Sequence, residues 1–150
     1  EIAGSGCQIV DLFAGCGTLS LPLLDNIANL LAVEQSEGAL AALKFGVDAA
    51  GIGGRVKTAS RNLFDAPLMP DELEGFDMAI LDPPRSGAAA QCQMLAQSGI
   101  ATIAMVSCNP SSFVRDAAIL TESGFQLEWV QVIDQFSFSN HLELIGAFRR

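Results

Sequence analysis

The stretch Gln8-Ile9-Val10-Asp11-Leu12-Phe13-Ala14-Gly15-Cys16-Gly17 decides the fold. Residues 8–13 are short, β-branched at the centre and mostly apolar, the pattern of a strand buried on both faces, and the glycines that follow turn the chain sharply. A helix is expected next, over about residues 18–26. A second apolar run, residues 29–33, ends in Glu34. Ser36 then stands as the cap of a helix whose Leu40, Leu43, Val47 and Ala50 fall at helical spacing, before Gly51 stops it.

Downstream the alternation continues. Residues 56–59 read as a third strand, and Pro67 and Pro70, among Asp71, Glu72 and Glu74, mark an exposed connection. Residues 76–81 form a fourth strand leading into Asp82-Pro83-Pro84-Arg85-Ser86-Gly87, with helix formers over residues 88–97. The fifth strand, residues 101–107, runs into Cys108. Asn109-Pro110 then supply an N-cap and a first-turn proline for a helix through Phe113, Ala117 and Leu120. Two further strands follow, residues 125–133 with partial alternation and residues 142–148. This order predicts an α/β, Rossmann-like fold: a mainly parallel seven-stranded sheet with an antiparallel pair at one edge and helices on both faces. Ligands of such sheets bind at the carboxyl ends of the strands, and Asp11 to Gly17, Glu34, Asn62, Asp82 and Cys108 all fall there.

Half of the 150 residues are hydrophobic, enough for one domain with a sizeable core. No apolar run approaches the roughly 20 residues of a membrane span, and the first residues lack a signal pattern, so a cytoplasmic protein is expected. The four cysteines form no CxxC pair, so neither a metal site nor a disulfide framework is expected. With 17 acidic against 8 basic side chains, the net charge is −9. Nucleic-acid affinity rests largely on neutralised phosphates, so this domain alone should hold RNA weakly. If its substrate is RNA, binding modules elsewhere must help, and residues 1–150 are then the catalytic domain of a longer protein.

Gly15-Cys16-Gly17 after the first strand and Glu34 after the second suit either a dinucleotide or S-adenosylmethionine, because glycines admit the ligand and the acid takes its ribose hydroxyls. Asp11 and Ser20 separate the two. A carboxylate beside the loop would repel a pyrophosphate but suits a sulfonium and an ammonium group, and Ser20 stands where GxGxxG requires its third glycine. S-adenosylmethionine is therefore favoured; an NAD-dependent oxidoreductase and a non-catalytic cofactor-binding module are the alternatives. Asn62, or Asp65, is placed to meet adenine or to cap its own loop. Phe13 could face the cofactor or join the core.

Asp82-Pro83-Pro84-Arg85 resembles the (Asp/Asn)-Pro-Pro-aromatic motif of amino-group methyltransferases, in which the aromatic ring stacks on a flipped base. Arg85 replaces that ring. It also stands where RNA 5-methylcytosine methyltransferases carry their cysteine, so a nucleophile must come from the next strand, where Cys108 lies. A thiol at that strand-to-helix junction feels the positive end of the helix dipole, which favours its thiolate.

The set DLFAGCGTLSLPL (11–23), LDPPRSG (81–87), SCNPSSFVRD (107–116) and NHLEL (140–144) closely resembles the catalytic domain of the RNA 5-methyluridine methyltransferases, over essentially the whole chain. That resemblance implies S-adenosylmethionine as methyl donor and a uridine of transfer or ribosomal RNA as substrate, with no protein partner. It implies Cys108 as nucleophile and Glu143 as base, with Phe13, Thr18, Glu34, Asn62 and Asp82 joining Asp11, Gly15 and Gly17 around the cofactor. Arg85 and His141 take substrate or supporting roles, and Arg115 is expected to pair at the surface. The chain departs from the family pattern at Thr18, often Asn, and at Arg61, where a Glu precedes the Asn. The resemblance also implies an upstream RNA-binding β-barrel.

Overall fold

The computed structural model describes residues 6–134 and 142–150. Seven strands, β1 (Cys7–Leu12), β2 (Ile27–Glu34), β3 (Val56–Ser60), β4 (Met78–Leu81), β5 (Thr102–Ser107), β6 (Gln126–Ile133) and β7 (Glu143–Arg149), form one sheet in the order β3-β2-β1-β4-β5-β7-β6. Strands β1 to β5 are parallel neighbours, and β7 runs antiparallel to both β5 and β6. The expected fold class holds, with the two last strands as the antiparallel edge pair.

The apolar runs sort by strand period onto two faces. Val10, Leu12, Leu81, Ile103, Met105 and Phe148 face one core. It is covered by α2 (Ala89–Gln97) through Cys92 and Leu95 and by α3 (Pro110–Glu122) through Phe113 and Leu120. Ile9, Leu30, Ala32 and Ile80 face the other core, against Leu43 and Val47 of α1 (Glu37–Ala49). Local chemistry sets the helix ends. Ser36 Oγ accepts from Ala39 N–H at 3.3 Å and Asn109 Oδ1 from Ser111 N–H at 3.1 Å, while Gly51, at φ 70°, follows α1 in the left-handed conformation.

Two expectations change. No α-helix spans residues 18–26; a 3-10 turn, Leu21–Leu23, takes its place. Pro22 would lie inside that helix, where it has no N–H to donate, and the carbonyls of Leu24 and Ile27 instead accept from the Arg55 guanidinium. On this side Leu19, Leu23, Met78, Ile80, Ala104, Val106 and Ile145 line an apolar groove. The connection after β3 is also not merely exposed, because Leu63, Leu68 and Leu73 drop from it into the α2 and α3 core. Buried Gln91 holds it there, accepting from Leu68 N–H at 2.8 Å and donating to Leu68 O at 3.2 Å. A buried backbone segment needs such partners, and a side chain 23 residues away supplies both.

Candidate active site

At the carboxyl end of β1, Phe13 adopts φ 63°, a left-handed conformation that L-residues rarely take outside functional turns. It swings the chain toward β2, where Ala14 N–H donates to Val33 O at 3.1 Å. Gly17, at φ 85°, could carry no side chain: an added Cβ would sit 2.7 Å from Leu21 Cγ. Glu34 latches this loop, accepting from Gly15 N–H at 3.0 Å through Oε2 and from Gln35 and Ser36 N–H, both at 2.8 Å, through Oε1. Three backbone donors thus occupy three of about four acceptor positions, leaving room for one further donor from a ligand.

Asp11 lies behind the loop and is 1% exposed. Among the described residues neither of its oxygens has a hydrogen-bond partner, nor has the buried Ser20 hydroxyl, whose nearness tempers the electrostatic penalty. Burial first, and then the Asp82 and Glu34 carboxylates, push the Asp11 pKa up to about 7. An unsatisfied buried carboxylate is costly, and a cation brought to this loop would relieve it.

Phe13, Glu34, Gln35, Phe64, Asp82, Pro83 and Pro84 line an open cleft of about 380 Å³. Phe13 packs on the core and also lines this cleft. Its ring meets that of Phe64 with centroids 5.3 Å apart. Phe64 is a residue the sequence reading missed; an exposed aromatic just past the polar end of β3 was the available signal. Asn62 supports it, accepting from Phe64 N–H at 3.0 Å and donating to Asp65 Oδ2 at 2.6 Å. Of the two roles open to Asn62, the structure shows the loop cap. Thr18 is exposed, its Oγ1 3.4 Å from Cys16 Sγ. Arg61 organises the same loop, donating to Ala66 O at 2.6 Å and Pro67 O at 2.9 Å and pairing with Glu72.

The two candidate reacting groups, Cys108 and Glu143, lie just after β5 and at the start of β7. The antiparallel β5–β7 ladder ends with Ser107 opposite Leu144, so Cys108 and Glu143 each stand one residue beyond its last pair, at the same end of the sheet. Because β7 is reversed, its first residue reaches the sheet edge where β1, β4 and β5 end. Strand alternation also puts Asp11, Glu34 and Glu143 on the face of Ile9, Ala32 and Ile145. Asp82 lies between the two halves: burial and then the Glu143 carboxylate raise its pKa, and it in turn acts on Asp11. Cys108 is half-buried, immediately before the Asn109 cap and Pro110. Arg85 is exposed, with its backbone carbonyl tied to Asn109. Arg115 is exposed and pairs, as expected of it, although its partner, Asp116, is buried. His141 lies outside the described residues.

The sheet order, the glycine loop after β1 and the acid ending β2 are those of the S-adenosylmethionine-dependent methyltransferase fold. Within that class the match is narrower. Residues 68–148, more than half of the chain, fit the model of the tRNA (uracil-5-)-methyltransferase family, and the chain belongs to it. It is 38% identical over 148 residues to an uncharacterized RNA methyltransferase of Caulobacter vibrioides, covering 99% of this chain and 35% of that protein. It is 37% identical to the 23S rRNA (uracil(1939)-C(5))-methyltransferase RlmD of Burkholderia thailandensis, covering 97% of this chain and 33% of that one. A tRNA (uracil-54, C5)-methyltransferase of Pyrococcus abyssi, solved with S-adenosyl-L-homocysteine, superposes with a TM-score of 0.81 at 25% identity over 97% of this chain and 35% of its own. The chain thus spans about a third of the length of these relatives.

Proposed function

We propose that this chain is the catalytic domain of an RNA (uracil-5-)-methyltransferase that works through a covalent cysteine adduct on a uridine of tRNA or rRNA. The observation that carries this reading is that the β5–β7 ladder ends at Ser107 and Leu144, which brings Cys108 and Glu143 to the sheet end that also holds the glycine loop. The cofactor is S-adenosyl-L-methionine. Asp11, Gly15, Gly17, Glu34 and the Phe13–Phe64 pair suit it, since they combine an orphaned buried carboxylate, a backbone cradle and an aromatic wall. When bound, it supplies the methyl group for carbon 5 of the base.

Carbon 5 of uracil is a weak nucleophile while the C5–C6 double bond is conjugated with the carbonyl. Cys108 Sγ, as thiolate, adds to carbon 6, forming an S–C6 bond and moving the π electrons toward carbon 5 and the O4 enolate. Once carbon 5 carries the methyl group, Glu143 accepts its remaining proton. The electron pair of that C–H bond restores the C5–C6 double bond and expels Cys108 as thiolate. Asp82, which lines the cleft with Pro83 and Pro84, is placed to orient the edge of the base or to touch the cofactor.

With a net charge of −9, RNA affinity must come mainly from the rest of the protein. Mass mapping of methylated nucleosides in RNA from cells lacking the full-length protein tests the assignment. Loss of 5-methyluridine at one position supports it; an unchanged RNA profile refutes it.

A further inference from the structure

Beyond the reacting groups, three side chains, one from the N-cap of α3 and two from its middle, hold the turn that follows β4. Asn109 Nδ2 donates to Arg85 O at 3.0 Å, Arg115 Nη2 donates to Ser86 O at 2.9 Å, and Ala88 N–H donates to Asp116 Oδ2 at 2.7 Å. Arg115 Nε and Nη2 close the circuit on Asp116 Oδ1 at 2.9 and 2.7 Å. The backbone of residues 85, 86 and 88 is therefore tied, group by group, to a helix that begins next to Cys108. Asp116 is 1% exposed, and it serves an α2 N-terminus whose own cap position, Ala88, offers no side-chain bond. The approach is close: Gly87 sits at φ 76°, and a Cβ there would meet Asp116 Oδ2 at 2.5 Å, Ser112 Cβ at 2.8 Å and the Arg115 guanidinium.

These are not ordinary surface contacts. Asn109 faces two ways, since its Oδ1 caps α3 through Ser111 N–H while its Nδ2 reaches Arg85 O. The residue that ends the Cys108 junction is thus the strut to the Asp82-Pro83-Pro84-Arg85 turn. Ser107 and Ser112 hydroxyls, both bonded to Asn109 O, brace it from behind at 3.1 and 3.0 Å.

We infer that Asn109, Arg115 and Asp116 form a positioning clamp that fixes the Asp82–Arg85 turn against Cys108, so that the thiol and the acid meet the base in one geometry. The inference rests on the reading of the site as a uracil-5 methyltransferase. Misplacing a reacting group by about 1 Å can cost about a hundredfold in rate, so a strut of this kind acts on turnover rather than on ligand affinity.

The variants that separate positioning from folding are Asn109→Ser and Asp116→Asn. Serine still caps a helix but cannot reach Arg85 O, and asparagine still accepts from Ala88 N–H but gives up the ion pair with Arg115. In the full-length protein acting on RNA, each should lower kcat about tenfold while the Kd for S-adenosylmethionine stays within about twofold and the fold stays intact. Hydrogen exchange at residues 85–88 should accelerate in both. Wild-type kcat in both variants, or a fall in kcat matched by an equal loss of cofactor binding, would overturn the clamp. If the unaltered protein transfers no methyl group to uridine carbon 5, the functional reading fails, and the exchange arm alone decides the clamp: unchanged exchange overturns it.

Discussion

Asp11 and Asp116 are equally buried, each 1% exposed, and they are used in opposite ways. Asp116 has every need met, by Ala88 N–H and by the Arg115 guanidinium, and the segment around it is fixed. Asp11 has no hydrogen-bond partner for either oxygen among the described residues and faces two further carboxylates, Asp82 and Glu34. A satisfied buried acid holds structure; an orphaned one beside a glycine loop is held ready for a cation. On the proposed reading, the half of the site around Asp11 is electrostatically incomplete until a cation arrives, whereas the half that carries Cys108 is organised in advance.

The largest expected effect breaks the organised half. Gly87→Ala forces a left-handed alanine against Asp116 and Ser112, and should cost about 3 kcal/mol of stability, read as a shifted denaturation midpoint. A wild-type midpoint would show that the turn is loose and that the contrast with Asp11 is false.

A smaller effect, with a defined pH signature, belongs to Asp11. Its folded pKa of about 7 lies above the ordinary carboxylate value, so its charge destabilises the fold progressively as pH rises from about 4 and fully above about 7. Asp11→Asn should therefore raise Tm more at pH 8 than at pH 5, while weakening S-adenosylmethionine binding about tenfold in calorimetry at pH 8. In the unaltered protein, cofactor affinity should tighten as pH rises from 6 to 8, because the ionised form binds the cation. A flat pH profile, or a Tm gain larger at pH 5, would mean that Asp11 is not the group awaiting charge.

The smallest effect is near zero. The Ser20 hydroxyl is buried without a hydrogen-bond partner among the described residues, yet it tempers the Asp11 charge, so the two effects of Ser20→Ala offset and stability should move by no more than about 1 kcal/mol. A loss of more than that would reveal a bond between Ser20 and Asp11 and reduce the contrast between the two acids.

What could be read in the sequence was local. The β1 run, the Ser36 cap, the Asn109-Pro110 start of α3 and the polar residue at each strand end all follow from short-range pattern and capping chemistry, and they sufficed for the fold class and most of the cofactor loop. The missing helix was legible too, since Pro22 argued against it. The rest depended on distance along the chain. That Gln91 would draw Leu68 inward, that Asn62 would spend its amide on its own loop and present Phe64, and that Asp116 would reach back to Ala88 are tertiary pairings with no periodicity to announce them. The pairing of Cys108 with Glu143 was reached through resemblance alone. The antiparallel ladder, whose register spacing cannot predict, ends one residue short of each of them.

The most direct test of the central claim is peptide mapping of RNA bound covalently to the full-length Glu143→Gln protein after incubation with S-adenosylmethionine. With the base removed, a methylated uridine should accumulate attached through carbon 6 to Cys108. Release of 5-methyluridine at the wild-type rate, or an adduct on any other residue, would contradict it.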